Sequence, residues 1–497
     1  MAKHIVMFPY MAQGHLIPFV ALAKLIEQRT AHTITIVTTP LNIPTVESSL
    51  PPNTSIRLSS LPFNSSEHGL PPNSENTNTL PFTFILKLFE ASQTLQPSFE
   101  SFISDLSQTE GLPLCIIADV FFGWTVEIAQ RLGIYHTVFS TCGGYGTAAY
   151  FPLWLHLPHT KADSDEFTLP GWPDTIRLHR SQMSWYMRAA DGCDPWSVFF
   201  RRQLSFSLRS DGMLCNSVEE MEVKGLDLLR RFTGLPVWSV GPLLPPSLLN
   251  PSSSSTSSHA STGKEPGIST DRCVEWLNLR RPSSVLYICF GSQNTISAPQ
   301  MIELAMGLEA SGQDFIWVIR PPLGFDINRE FRSEWLPEGF EDRITKSKQG
   351  ILVRRWAPQV EILAHVSTGA FLSHCGWNSV LESLSQGVPM IGWPLASEQF
   401  YNSKMMEEEM GVCVEIARGG GMDIERENVK RLIEMVMCGT EGEEMRRKAL
   451  EFREIIRAAM REEEMEGGRK GSSIAAIDDF IATATATAKK CCGGEND

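Results

Sequence analysis

Between Trp356 and Gln399 the chain gathers, in close order, aromatic, amide, glycine and carboxylate residues of the types that bind a polar ligand. Trp356 beside Gln359 pairs a flat aromatic face with an amide, a combination suited to stacking on a base and reading its edge. The apolar run Ala370 to Ser373 predicts a buried strand that ends in His374-Cys375-Gly376. Helical periodicity follows at once, with Val380, Leu381 and Leu384 on one face and Gly376, Asn378, Ser379 and Glu382 on the other. A turn of that kind leaves free backbone N–H groups at a helix N-terminus, a ready cradle for phosphate. Glu382 is placed to accept from ribose hydroxyls. Beyond a second strand, Val388 to Gly392, and Trp393-Pro394, the pair Glu398-Gln399 offers a carboxylate and an amide to sugar hydroxyls. A glycine-containing turn before a helix is common in parallel α/β sheets and often binds nothing. The flanking Trp356, Glu382 and Glu398-Gln399 decide for a ligand: a base reader, a phosphate cradle, a ribose carboxylate and a sugar clamp in that order describe a nucleotide sugar.

A second pair bears on reactivity. Moving a sugar onto a hydroxyl needs a base to take the hydroxyl proton, and histidine suits that task near neutral pH. His15 follows the strand His4 to Phe8 and the break Pro9 to Gly14; the helix predicted over Ile17 to Glu27 begins just beyond it. That places it at the carboxyl edge of a sheet, where open α/β folds bind ligands. A helix N-terminus favours neutral imidazole, the form a base needs. Asp119 ends the next buried strand, Leu114 to Ala118, and a buried carboxylate beside His15 would fix its tautomer and stabilise the imidazolium. Each residue also has a plainer reading, His15 as a solvated turn residue and Asp119 as a helix cap. Whether the two touch is not written in the sequence.

The Trp356–Gln399 stretch resembles the donor-binding signature box of plant secondary-product UDP-glycosyltransferases. It matches W-A-P-Q (Trp356, Ala357, Pro358, Gln359), H-C-G-W-N-S from His374 to Ser379, then Glu382, Trp393-Pro394 and the acidic-Gln pair, in order and spacing. The N-terminal F-P-Y-M-A-Q-G-H and the chain length extend the likeness. The resemblance implies a GT-B fold: an α/β protein of two Rossmann-like domains whose parallel sheets face each other across a cleft. It implies inversion at the anomeric carbon, His15 as catalytic base with Asp119 as its partner, and UDP as leaving group. The helix dipole behind Gly376 and donors from His374, Asn378 and Ser379 would meet the developing charge. Ser292 matches a phosphate contact, Thr141 a sugar contact, and Gln399 the position where glutamine accompanies glucose, a view Trp377 also fits. UDP-glucose is therefore the expected donor, with no metal or other cofactor. The implied acceptor is a hydroxyl of a small plant-type metabolite, a phenolic such as a flavonoid, with terpenoid or steroid acceptors compatible. A binder that holds UDP-sugar without turnover is the alternative of another class.

The rest of the chain must position these groups. At 497 residues two domains are expected, and 42% hydrophobic with 20% charged residues is ordinary for a folded protein. A net charge of −14 argues against nucleic acid and polybasic membrane contacts, and means that local dipoles must hold an anionic donor. No apolar run is long enough to span a bilayer and no export signal is evident, so a cytoplasmic monomer with reduced thiols is expected. Predicted boundaries are 1–245 for an acceptor-binding domain, 246–270 for a Ser/Pro-rich linker, and 271–465 for a UDP-sugar-binding domain. Residues 466–497 form a last helix and tail, the helix packing back on the first domain by resemblance. Pro51 to Asn78 reads as loop, Phe82 to Phe102 as one helix, and Ala482 to Asp497 as a frayed tail. Tyr150 to Phe206 is aromatic and irregular, and Phe121, Phe122, Tyr150 and Phe200 are acceptor-pocket candidates, against ordinary packing. Two motifs are set aside. Asp163-Ser164-Asp165 resembles a metal-binding D-x-D but lies in an acidic loop. Gly144 to Ala149 formally matches the G-x-G-x-x-A of nicotinamide enzymes but does not follow the first strand, so helix packing or close ligand approach explains it better.

Overall fold

Apolar runs rich in Val, Ile and Phe that are buried on both faces build parallel sheets, and this chain contains two sets of them. The computed structural model describes residues 3–249, 267–327, 329–462 and 469–492. The first sheet has seven strands, in the order Arg57–Ser60, Thr33–Thr38, His4–Phe8, Cys115–Asp119, Tyr135–Ser140, Gly212–Cys215 and Val237–Ser239. The second has six, in the order Gly350–Arg354, Asp314–Ile319, Val285–Cys289, Thr368–Ser373, Met390–Gly392 and Cys413–Glu415. Every pairing in both sheets is parallel. The expected architecture of two parallel α/β sheets is present.

Strand order fixes where ligands can sit. In the first sheet His4–Phe8 pairs with Thr33–Thr38 on one side and Cys115–Asp119 on the other, with Phe8 opposite Ala118. The chain therefore leaves His4–Phe8 and Cys115–Asp119 on either side of a topological switch point, which opens a crevice at the strands' carboxyl ends. In the second sheet Val285–Cys289 and Thr368–Ser373 flank the equivalent point, with Cys289 opposite Ser373. The segments carrying His15, Asp119, Ser292 and His374 all leave these four strand ends.

Several elements differ from expectation. The first helix runs Gln13–Arg29, so His15 lies in its first turn rather than before it, and Pro18 is inside the helix. Within the segment read as loop, Arg57–Ser60 is an edge strand; its side chains are largely solvated, which erased the alternation a sequence reader needs. The helix expected over Phe82 to Phe102 is two, Ile85–Ser92 and Gln96–Glu110, divided by a tight turn at Gln93–Leu95, with Pro97 starting the second. The segment expected to be irregular contains helices Gly144–His156, Trp185–Arg188 and Pro195–Ser207, the last capped by Asp194, whose Oδ1 accepts from Ser197 N at 3.0 Å.

The last helix spans Ser472–Cys492, well past the point where fraying was expected, because Ile477, Phe480 and Ala484 are buried against the outer face of the first sheet. Asp479 accepts from Trp238 Nε1 at 2.7 Å, and Asp478 holds Arg29 through both carboxylate oxygens. Most of the predicted linker, residues 250–266, lies outside the described residues; 246–249 form a short helix in which Leu248 and Leu249 are buried. Among the described residues no helix is long and apolar enough to cross a membrane.

Candidate active site

His15 and Asp119 meet. Nδ1 of His15 is 2.6 Å from Oδ2 of Asp119, whose side chain is fully buried. A buried carboxylate is costly unless its oxygens are engaged. Here Oδ1 accepts from Phe121 N at 3.0 Å, so Asp119 also caps the turn after its strand. One oxygen of Asp119 thus meets His15 while the other caps the turn. The Asp119 contact fixes the proton of His15 on Nδ1 and leaves Nε2 with its lone pair. Burial works against a charged His15, but the Asp119 charge and hydrogen bond, with Glu398 nearby, outweigh it and raise its pKa above the ordinary 6.5. The neutral form expected from the helix N-terminus is thus opposed by the carboxylate. Thr141 Oγ1 lies 3.5 Å from the same Nδ1.

Helix Trp377–Ser385 starts with Gly376 as its N-cap, straight from strand Thr368–Ser373. Cys375 takes a left-handed φ of +63°, rare for a residue with a side chain, and Asn402 Nδ2 holds its carbonyl at 3.0 Å. The His374 imidazole fills a slot between two glycines. A Cβ at Gly291 would approach its Nε2 to 2.5 Å and one at Gly376 to 2.4 Å. Burial, then the nearby Arg320 charge, lower the His374 pKa to about 4, so its ring is neutral. Ser292 is half-buried in the loop after Val285–Cys289.

Gln359 is engaged more heavily than expected of a free base reader. Its Nε2 donates to Glu382 Oε2 at 2.5 Å and to Ser379 Oγ at 3.1 Å, and its Oε1 accepts from Tyr287 OH at 3.1 Å. It therefore orients the Glu382 carboxylate, which burial lifts to a pKa of about 7. Trp356 is half-buried and Ala357 buried beside it. Gln399 builds its own turn, its Oε1 accepting from Leu395 N at 3.0 Å and Ala396 N at 2.9 Å.

The carboxyl ends of the two sheets are joined. Pro18 has no N–H to give the Gly14 carbonyl one turn back, and Asn378 Nδ2 approaches that carbonyl at 3.4 Å. Trp377 is buried rather than open to a ligand, and its Nε1 donates to Asn216 O at 2.5 Å on the first sheet's side.

Of the acceptor candidates, Phe121 sits 5.2 Å from the His15 ring and 5.5 Å from Phe200, which in turn meets Tyr150 at 5.6 Å. Phe122 is placed differently. Its ring stacks on Phe8 at 4.1 Å and meets Trp124 at 5.8 Å, so it packs in the core under the site. Sequence reasoning missed Tyr10 and Phe89, whose stacked rings at 4.9 Å continue the wall beside His15. Tyr10 lies in the same F-P-Y segment as His15, which was the available signal; Phe89 had none. It also missed Glu222, buried and accepting from the N–H groups of Gly144 and Tyr145 at 2.9 and 3.0 Å. The glycines of the G-x-G-x-x-A match are packing devices. A Cβ at Gly144 would strike Leu226, and one at Gly146 would strike Asn402 across the junction. Asp163, Ser164 and Asp165 are exposed.

This geometry has close counterparts among known proteins. Residues 273–436 match the family described as UDP-glucoronosyl and UDP-glucosyl transferase. Crocetin glucosyltransferase 3 of Crocus sativus is 51% identical over 89% of this chain and 92% of its own length. UDP-glycosyltransferase 92A1 of Arabidopsis thaliana is 45% identical over 96% of each. Glycyrrhiza uralensis UGT73P12, solved with glycyrrhetinic acid 3-O-monoglucuronide, superposes with a TM-score of 0.83 at 27% identity, covering 100% of this chain and 98% of its own.

Proposed function

This chain belongs to the plant UDP-glycosyltransferases, enzymes of GT-B fold, and on that premise we propose that it transfers glucose from UDP-glucose, with inversion, to a hydroxyl of a small apolar metabolite. The observation that carries the reading is the His15–Asp119 contact at 2.6 Å, opposite a helix N-terminus that Asn378 ties to the His15 helix.

In this reading His15 Nε2 takes the acceptor proton as the acceptor oxygen attacks the anomeric carbon, and Asp119 stabilises the imidazolium that forms. The bond from that carbon to the β-phosphate oxygen breaks on the opposite face, and UDP leaves. Gly376, Asn378, Ser379, His374 and Ser292 surround the pyrophosphate, where helix N–H groups oppose its charge. Trp356 stacks on uracil beside Ala357 and Gln359, Glu382 accepts from the ribose, and Glu398, Gln399 and Thr141 contact the sugar. The division is 1–245 for the acceptor, 246–270 as linker, 271–465 for the donor, and 466–497 as a helix and tail returning to the first domain. A cytoplasmic monomer completes the reading.

The rings of Phe121, Tyr150, Phe200, Tyr10 and Phe89 support a flat, apolar acceptor, a phenolic such as a flavonoid. The ligand of the Glycyrrhiza structure keeps a terpenoid or steroid acceptor as the second reading. The test is product mass spectrometry with UDP-glucose and a panel of phenolic and terpenoid acceptors, with crocetin included because of the Crocus relative. The wild type adds one hexose, and His15→Ala does not. Transfer that persists in His15→Ala overturns the mechanism.

A further inference from the structure

The segment 180–188 leaves the first half of the chain and lies against the second. Arg418 Nη1 donates to Ser181 Oγ at 3.0 Å, Tyr186 OH pairs with Ser397 Oγ at 3.0 Å, and Tyr401 OH approaches Met187 Sδ at 3.4 Å. These contacts pin helix Trp185–Arg188 onto the loop that precedes helix Gln399–Met405 and onto that helix itself.

The other face of Tyr186 belongs to the aromatic wall. Its ring is buried, stacked on Trp196 at 4.6 Å and nearly parallel to Trp154 at 6.3 Å. Trp154 stacks on Phe200 at 4.6 Å, Phe200 meets Phe121 at 5.5 Å, and Phe121 meets His15 at 5.2 Å. One residue therefore joins the wall that leads to His15 through its ring and the Glu398-Gln399 loop through its hydroxyl.

Ser397 is the sensitive partner. It holds a left-handed φ of +52°, a conformation that persists in a non-glycine residue only where the surroundings impose it. The next two residues are Glu398 and Gln399. Gln399 braces the turn from inside, through the N–H groups of Leu395 and Ala396, and Tyr186 braces it from the opposite domain.

We propose that Tyr186 is a positioning residue for the donor sugar: its hydroxyl holds Ser397 so that Glu398 and Gln399 present their polar atoms to the sugar of a nucleotide-sugar donor. This rests on the reading of Glu398 and Gln399 as sugar contacts. Its consequence is a split. The nucleotide is held by other residues, so loss of the Tyr186 hydroxyl weakens UDP-glucose and leaves UDP alone.

The experiment is calorimetric binding of UDP and of UDP-glucose to the full chain, as wild type, Tyr186→Phe, Ser397→Ala, the double variant and Gln399→Ala. Tyr186→Phe keeps the ring in the wall, so folding is preserved, and the melting temperature checks it. The expected result is UDP-glucose weakened about five- to tenfold in Tyr186→Phe, the loss of one hydrogen bond's worth of affinity, with UDP unchanged. Ser397→Ala gives the same loss, and the double variant is no worse than either single one. Equal weakening of UDP and UDP-glucose makes Tyr186 a mere prop between domains and overturns the proposal. So does an unaffected Tyr186→Phe beside a Gln399→Ala that has lost sugar affinity. A Gln399→Ala that binds UDP-glucose as tightly as the wild type removes the sugar-contact reading itself, and the proposal with it.

Discussion

Nδ1 of His15 lies 2.6 Å from Oδ2 of Asp119, a partner 104 residues away in sequence and fully buried. The two strands that precede these residues are neighbours in register, Phe8 opposite Ala118, so the pairing is a product of sheet order. Because Asp119 Oδ1 is held by Phe121 N, the carboxylate is fixed in place, and the Nδ1 edge of the imidazole is held against it.

That contact predicts a pH profile. His15 has its pKa raised above 6.5, and a base works only when neutral. The acid limb of kcat/KM should therefore lie above pH 6.5, with activity rising as pH increases through it. Asp119→Asn removes the charge that favours the imidazolium, so the limb moves to lower pH while the plateau falls. Rate measurements from pH 5 to 9 on both proteins check this; an unmoved limb assigns the titration to another group.

Glu382 predicts a loss that does not distinguish donor from product. It is oriented by Gln359, and in the proposed reading it accepts from the ribose, a part of the donor that UDP shares. Glu382→Ala should weaken UDP and UDP-glucose alike, by about tenfold if one or two hydrogen bonds to the ribose are lost. Isothermal titration with each ligand separates this from a sugar-only effect.

Gly291 and Gly312 form a controlled pair. Both have left-handed φ, +75° and +66°, but a Cβ at Gly291 meets His374 Nε2 at 2.5 Å whereas one at Gly312 meets nothing within 4 Å. Gly376 also lies against this ring, where a Cβ would come within 2.4 Å of the same Nε2. Alanine at Gly312 should cost only backbone strain, about 1 kcal/mol, and leave UDP affinity intact. Alanine at Gly291 should cost more and lose UDP affinity as well; equal effects at the two sites would remove the argument from His374.

His136 predicts acid sensitivity of the fold. It is buried between Thr125 Oγ1 and Ser210 Oγ, each at 2.9 Å, and burial lowers its pKa to about 3. The native state keeps it neutral while the unfolded chain takes a proton below about pH 6.5. Its contribution is complete above that pH and is lost as pH falls toward 3, at up to about 1.4 kcal/mol per pH unit. Melting temperatures of wild type and His136→Gln between pH 7.5 and 4.5 should show the shallower fall in the variant.

Much of the fold was legible because parallel strands buried on both faces are plain apolar runs; His4–Phe8 was found at its observed limits. Arg57–Ser60 was not, since an edge strand with solvated side chains carries no hydrophobic pattern. The last helix was cut short because Ala and Thr repeats have weak periodicity, and only the first sheet's outer face shows which of them are buried.

The chemistry divides along the same line. The sequence by itself named the candidate donor-side residues from Trp356 to Gln399, because they are local: two successive strands, with the turns and helices beside them, carry them within a few dozen positions. It named His15 and Asp119 by type and by their places at strand ends. Only the tertiary structure decided that the two touch, that Gln359 turns inward to Glu382, and that Trp377 is buried at the junction. It alone removed Phe122 to the core and brought Tyr186 to Ser397, 211 positions away. The reason is physical. Helical and strand periods are written residue by residue, whereas contacts between strand ends depend on sheet order and on how two sheets meet, which no local pattern encodes.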